Sequence, residues 1–222
     1  MNGMNGIMVL GILTLLSLIP LTVAFFWLRS LQKGMTSLLF VASIGAGLLS
    51  LALAAVLQAL FPPFQGNTLL ALGIRIFGNV AALEEVSRFA IFWAFFSVLS
   101  RKTVPSPFII SALGLSAGLT FSAIETATYS STNLTLTILR ALTAAPLHGA
   151  CGERIARGTA QLKKKPKMGL FLLANAIAIH GMYDFLLIVP SSPAILPIAL
   201  ALVALAASGV IIRNAPASTE VQ

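Results

Sequence analysis

Long apolar runs alternate with short polar breaks along this chain, and most runs are long enough to cross a bilayer as a helix, which takes about 20 residues. The first predicted helix covers about Gly6–Leu28 and stops before Arg29 and Lys33. The second covers Thr36–Leu60 and ends at Pro62 and Pro63, which cannot continue a helix. A polar turn, Gln65–Thr68, leads into Leu69–Leu99, too long for one straight span, with Gly78 and Asn79 as the expected break. Arg101 and Lys102 close it, and Pro105 and Pro107 open the fourth helix, Phe108–Thr128. The fifth, Leu134–Ala156, contains Pro146 as an expected kink. A basic loop, Arg157–Lys167, then precedes the sixth helix, Met168–Val189. The seventh is Ala194–Ile212. The pattern predicts an all-α, multi-pass transmembrane bundle of about seven spans, one domain over 1–213, with a frayed polar tail over 214–222.

Composition agrees. The 222 residues are 58% hydrophobic and 9% charged, with mean hydropathy +0.97. The formal charge of +8 does not point to nucleic acid, because no aromatic-basic surface module accompanies it. The basic residues group instead after the first, third and fifth helices, while the loops after the second, fourth and sixth carry no Lys or Arg. The positive-inside rule then places the N-terminus outside and the C-terminus in the cytoplasm of a cell-membrane protein. The first run lacks a basic n-region and reads as a retained span, not a cleaved signal. Cys151 stands alone, so no internal disulfide framework exists.

Against this apolar background, Glu84, Glu85 and Arg88 stand out in mid-helix. A charge at the bilayer centre costs roughly 2.5–3.5 kcal/mol on insertion scales, so partners are required. The chain has six carboxylates and two histidines. Glu220 is in the tail and Glu153 forms an ordinary i,i+4 pair with Arg157. Glu84, Glu85, Glu125, Asp184, His148 and His180 all fall at similar depth, from the midplane to the outer half, on four different helices. Arg88 lies under both glutamates by i,i+4 and i,i+3 spacing. One glutamate is expected to pair with it and the other to serve as a general base. His180 and Asp184 share a helix face, so Asp184 would orient the ring. Small residues Ser111, Gly114, Gly118 and Ser122 line the face that ends in Glu125 and allow close helix approach.

Each feature alone also has a structural reading. EExxR serves equally as a buried ion pair, His148 as a core histidine, and HxxxD as a helix-surface pair. Arg75 and Arg140 read as snorkelling residues, or as a grip on substrate or headgroups. Tyr183 could give a hydrogen bond to a transition state. A Cys151–His148 nucleophile lacks a third member. The shared depth favours one functional polar site over these separate readings.

The ordered segments Glu84-Glu85-x-x-Arg88, FSAIETATY (121–129), APLHGACGERIARG (145–158) and AIHGMYDFLL (178–187) resemble the motifs of the PrsW-type intramembrane proteases, and more distantly the CAAX-protease and bacteriocin-processing membrane family. The resemblance implies peptide-bond hydrolysis in or beside the membrane, on a membrane-anchored protein or peptide such as an anti-sigma factor. It maps catalytic positions onto Glu84, Glu85, Arg88, Glu125, His148, His180 and Asp184. Arg88 stands where the family usually has Lys, and Thr126 where it usually has Asn. The family is described both as metallo- and as glutamic-type. A zinc ion, if used, is expected on Glu125, His148 and His180. Two other functions fit a buried polar layer: a proton- or cation-coupled transporter, and a non-catalytic scaffold that binds partner helices. No inverted repeat supports the transporter.

Overall fold

A computed structural model describes residues 3–99, 105–129 and 134–216. Arg101, Lys102, the 130–133 part of the fourth polar turn, and the tail from 217 with Glu220 lie outside the described residues. The described chain is helical throughout its elements. These are α1 (Gly3–Ser17), α2 (Ile19–Leu31), α3 (Ser37–Leu60), α4 (Leu69–Ile74), a π-helical segment (Arg75–Ala82), α5 (Leu83–Leu99), α6 (Pro107–Tyr129), α7 (Leu134–Gln161), α8 (Pro166–Ile188) and α9 (Ile195–Asn214). α1 and α2 follow one another across Leu18, and α4, the π segment and α5 run without a gap. The elements therefore make seven rods, as the hydrophobic pattern predicts.

Among the described residues, five helices are long and apolar enough to cross a membrane: Gly11–Leu31, α3, α6, α8 and α9. The other two rods are the ones that carry the most charge within their length. Local sequence explains several ends. Thr36 and Thr68 cap α3 and α4, accepting hydrogen bonds from the Leu39 and Ala71 amides. The expected break at Gly78–Asn79 is a π turn instead of a gap. It brings Phe77 onto α8 at Gly181, where an added Cβ would lie 2.6 Å from Phe77 Cε1. Asn79 meanwhile fastens the Phe61–Phe64 turn, accepting from the Phe64 amide at 3.0 Å and donating to the Phe61 and Pro62 carbonyls.

α6 is the axis of the bundle. Its most apolar window is 78% buried, against 28% for each of the other four. The small-residue face does this: a Cβ at Gly118 would lie 2.7 Å from the His148 carbonyl carbon, and one at Gly114 2.6 Å from Ala156 Cβ. α6 and α7 thus touch backbone to backbone next to His148.

α7 departs from expectation at its far end. It runs through Pro146 and on to Gln161, five residues beyond the predicted stop. Arg157 is inside the helix, paired with Glu153, and Gly158 packs against the Gly169 carbonyl of α8. Glu153 is fully buried, not a surface partner: Ser111 of α6 and Ser208 of α9 also donate to it, each at 3.2 Å. Arg154 reaches Asn175 of α8 and Ser208 of α9. This second polar cluster fastens the last two helices to the central pair.

Candidate active site

α5 presents Glu84, Glu85 and Arg88 on its first turns, all buried. Glu85 and Arg88 form an ion pair with both side chains at 0% exposure. The other oxygen of Glu85 lies 2.8 Å from His180 Nδ1. Glu85 is therefore fully engaged. Glu84 is not: its Oε1 accepts from the Gln58 side-chain amide at 3.2 Å, while its buried Oε2 has no hydrogen-bond partner among the described residues. That oxygen faces His180 Nε2 at 3.7 Å. Asp184, one turn along α8, places Oδ2 3.3 Å from the same nitrogen.

His148 comes from α7, pressed against α6. Its Nδ1 lies 3.4 Å from Arg88 Nη2 and its Nε2 3.0 Å from Glu125 Oε2. The two imidazoles meet edge to face at 4.8 Å between centroids. Phe121 of α6 closes the inner side, 5.1 Å from the His148 ring and 4.5 Å beneath the Arg88 guanidinium. All seven expected residues thus gather in one polar cluster between α5, α6, α7 and α8.

Two further residues belong to it. Gln58, from the last turn of α3, holds Glu84. Arg140, expected to snorkel, instead turns inward: its Nη2 lies 2.6 Å from Glu125 Oε2, its Nε donates to Thr126 Oγ1 at 3.4 Å, and it sits 5.2 Å over the Tyr129 ring. Arg140 precedes His148 by eight residues, about two turns, so both reach the same carboxylate. Tyr183, the candidate transition-state donor, gives its hydroxyl hydrogen to Thr143 Oγ1 at 2.8 Å. Cys151 is buried, with its thiol directed at the Ala176 carbonyl, so it is packing and not a nucleophile.

The sequence pattern of the PrsW family intramembrane metalloproteases matches residues 33–210. The chain belongs to this family. No curated protein and no solved structure matches it.

The PrsW assignment raises the question of a metal, and the residues fit one. Glu84, His148 and His180 are buried and positioned to bind a metal ion, with one ligand atom from each lying within 4.8 Å of the others. Two imidazoles and a carboxylate are a known catalytic zinc set, leaving a fourth position for water. The charge count agrees. Four carboxylates face two guanidiniums, so the ionised pocket is short of two positive charges. The surroundings of His180 are still more telling. A neutral ring has one N–H, which Glu85 takes at Nδ1. Nε2 then presents a lone pair to two carboxylates, Glu84 and Asp184, and needs a cation or a proton between them. The third expected ligand changes, however. Glu125 is already neutralised by Arg140, and Glu84 is the carboxylate with an open oxygen.

Arg88 shows what the Arg-for-Lys departure provides. Its planar fork reaches Glu85 with one nitrogen and His148 with the other, which one ammonium would do less rigidly.

Proposed function

We propose that this chain is an intramembrane endopeptidase that cleaves a membrane-anchored protein with a water activated between Glu84, His148 and His180. The observation that carries the reading is the buried Glu84 Oε2, which has no hydrogen-bond partner among the described residues and is directed at His180 Nε2. Glu84, His148 and His180 would hold the metal ion, which supplies Lewis acidity and a water of lowered pKa. We assign zinc from the two-nitrogen, one-oxygen ligand set.

The chain's own residues do the rest. Glu85, clamped by Arg88, holds the Nδ1 hydrogen of His180 and so keeps the Nε2 lone pair toward Glu84. Gln58 fixes Glu84 Oε1 and leaves Oε2 for the pocket. Glu125, braced by Arg140, fixes the His148 ring. Asp184 is the more exposed carboxylate, at 24%, and sits beside His180 Nε2. Its Oδ2 takes the proton from the attacking water and returns it to the leaving amine.

A glutamic mechanism is the second reading, and the contact between Arg88 Nη2 and His148 Nδ1 favours it. A guanidinium only donates, so that nitrogen is the acceptor, and Nε2 carries the hydrogen given to Glu125. Both His148 nitrogens are then occupied. In this mode His180 holds protons at both nitrogens and polarises the scissile carbonyl, while Glu84 Oε2 is the general base.

Basic loops at one end of the bundle support an orientation with the N-terminus outside, and the pocket then lies in the outer half of the bilayer. The test is cleavage of a membrane-anchored peptide by the purified protein. Activity lost on chelation and restored by zinc supports the metal mode; activity indifferent to chelator but lost in Glu84→Gln supports the glutamic mode. Intact peptide together with proton-driven uptake in liposomes would replace both with the transporter.

A further inference from the structure

At the end of the bundle that carries the basic loop, α5, α6 and α7 leave a cleft of about 190 Å³. Trp93 and Phe96 of α5 and Ile110 of α6 form its apolar wall. Thr159, Lys163 and Lys164, at the end of α7 and in the turn after it, form its rim. The cleft lies about one and a half to two turns along α5 from Arg88 and shares no residue with the site described above.

Among the described residues Lys163 and Lys164 have no acidic partner. Of its six acids, four are in the active-site pocket, Glu153 is engaged by Arg157, and Glu220 lies outside the described residues. An anionic molecule at the rim would supply the charge complementarity. The shape narrows the choice. At about 190 Å³ the cleft is smaller than the roughly 300–1,000 Å³ that encloses a whole small ligand. It fits one end of an amphiphile whose remainder stays in the bilayer. Trp93 is half exposed beside it, and Trp favours the level where headgroups meet acyl chains. Basic pockets between transmembrane helices on the cytoplasmic side take anionic headgroups.

We propose that this cleft is a binding site for an anionic phospholipid of the cytoplasmic leaflet. Lys163 and Lys164 meet the phosphate, and the start of an acyl chain lies against Trp93, Phe96 and Ile110. Phe96 stacks on Phe92 with ring centroids 5.5 Å apart, so the bound lipid buttresses the helix that carries Glu84, Glu85 and Arg88.

The chain has two tryptophans, Trp27 and Trp93, so Trp27→Phe leaves Trp93 as the only one. The full-length variant is reconstituted in phosphatidylcholine vesicles containing a minor fraction of phosphatidylglycerol. Either lipid is brominated near the headgroup end of its chains, and Trp93 quenching is read. Each lysine at an anionic surface contributes about fivefold in affinity, so the pair is expected to give phosphatidylglycerol a preference of about 25-fold over phosphatidylcholine. Lys163→Gln with Lys164→Gln should remove that preference, and Lys165→Gln with Lys167→Gln should retain it. Equal quenching by both lipids overturns the proposal. So does equal loss in the two double variants, which would mean diffuse attraction to the loop. Reversal by inorganic phosphate alone would also overturn it, since the site would then hold an ion and not a lipid.

Discussion

Glu84 and Glu85 are neighbours with opposite surroundings, and the difference is measurable. Removing the charge of Glu85 leaves Arg88 buried and unpaired, which costs about 3–5 kcal/mol. Glu85→Gln should therefore lower the melting temperature in detergent sharply as well as abolish cleavage. Glu84→Gln should abolish cleavage while leaving the melting temperature unchanged or higher, since it removes one uncompensated negative charge. Equal destabilisation by both would contradict the division of roles. Gln58→Leu and Arg140→Gln remove contacts that hold a ligand or its partner. Each should weaken zinc binding and turnover about 10–100-fold, read by competition with a chelating dye. The sequence displays Glu84, Glu85, Arg88, Glu125, His148, His180 and Asp184 plainly, because each is a costly residue in an apolar run. Gln58 also interrupts such a run, close to its end, and that signal was available. Arg140 was not legible: depth along a helix does not say which way a long side chain turns, and only the facing Glu125 decides it.

At the scale of elements, the α6–α7 contact sets where His148 stands. A side chain at Gly118 has no room against the His148 backbone, so Gly118→Val must push the two helices apart. Overpacking of this kind costs about 1–3 kcal/mol. Because the displaced segment carries His148, turnover should fall much further than stability. Gly45, whose Cβ position is open, provides the control: Gly45→Ala should leave both unchanged. The small-residue stripe announced this contact in advance. The π turn over Arg75–Ala82 was not announced. Gly78 and Asn79 suggest a weak point, but whether the chain breaks or widens its turn depends on Phe77 docking on Gly181, a contact across about a hundred residues. The overrun of α7 has a similar cause, since Gly158 is held in helix by Gly169 of the next element.

For the whole molecule, seven rods were legible because hydropathy and proline placement act locally. The assembly around α6, and the second polar cluster at Glu153, depend on contacts among four helices and were not. The bundle brings its scarce ionisable groups together among four helices, and their charges balance only when a cation or two protons join them. Zinc should accordingly raise the melting temperature of metal-stripped protein, by RT ln(1 + [Zn]/Kd) in free energy, and Glu84→Gln should abolish the rise. The most direct test of the shared pocket is the metal content of the purified protein and of three single variants, Glu84→Gln, His148→Asn and His180→Asn. The account predicts one zinc per wild-type chain and its loss from all three variants, though the residues stand on three different helices. Retention of zinc by any of them, or cleavage by wild-type protein free of metal, would contradict it.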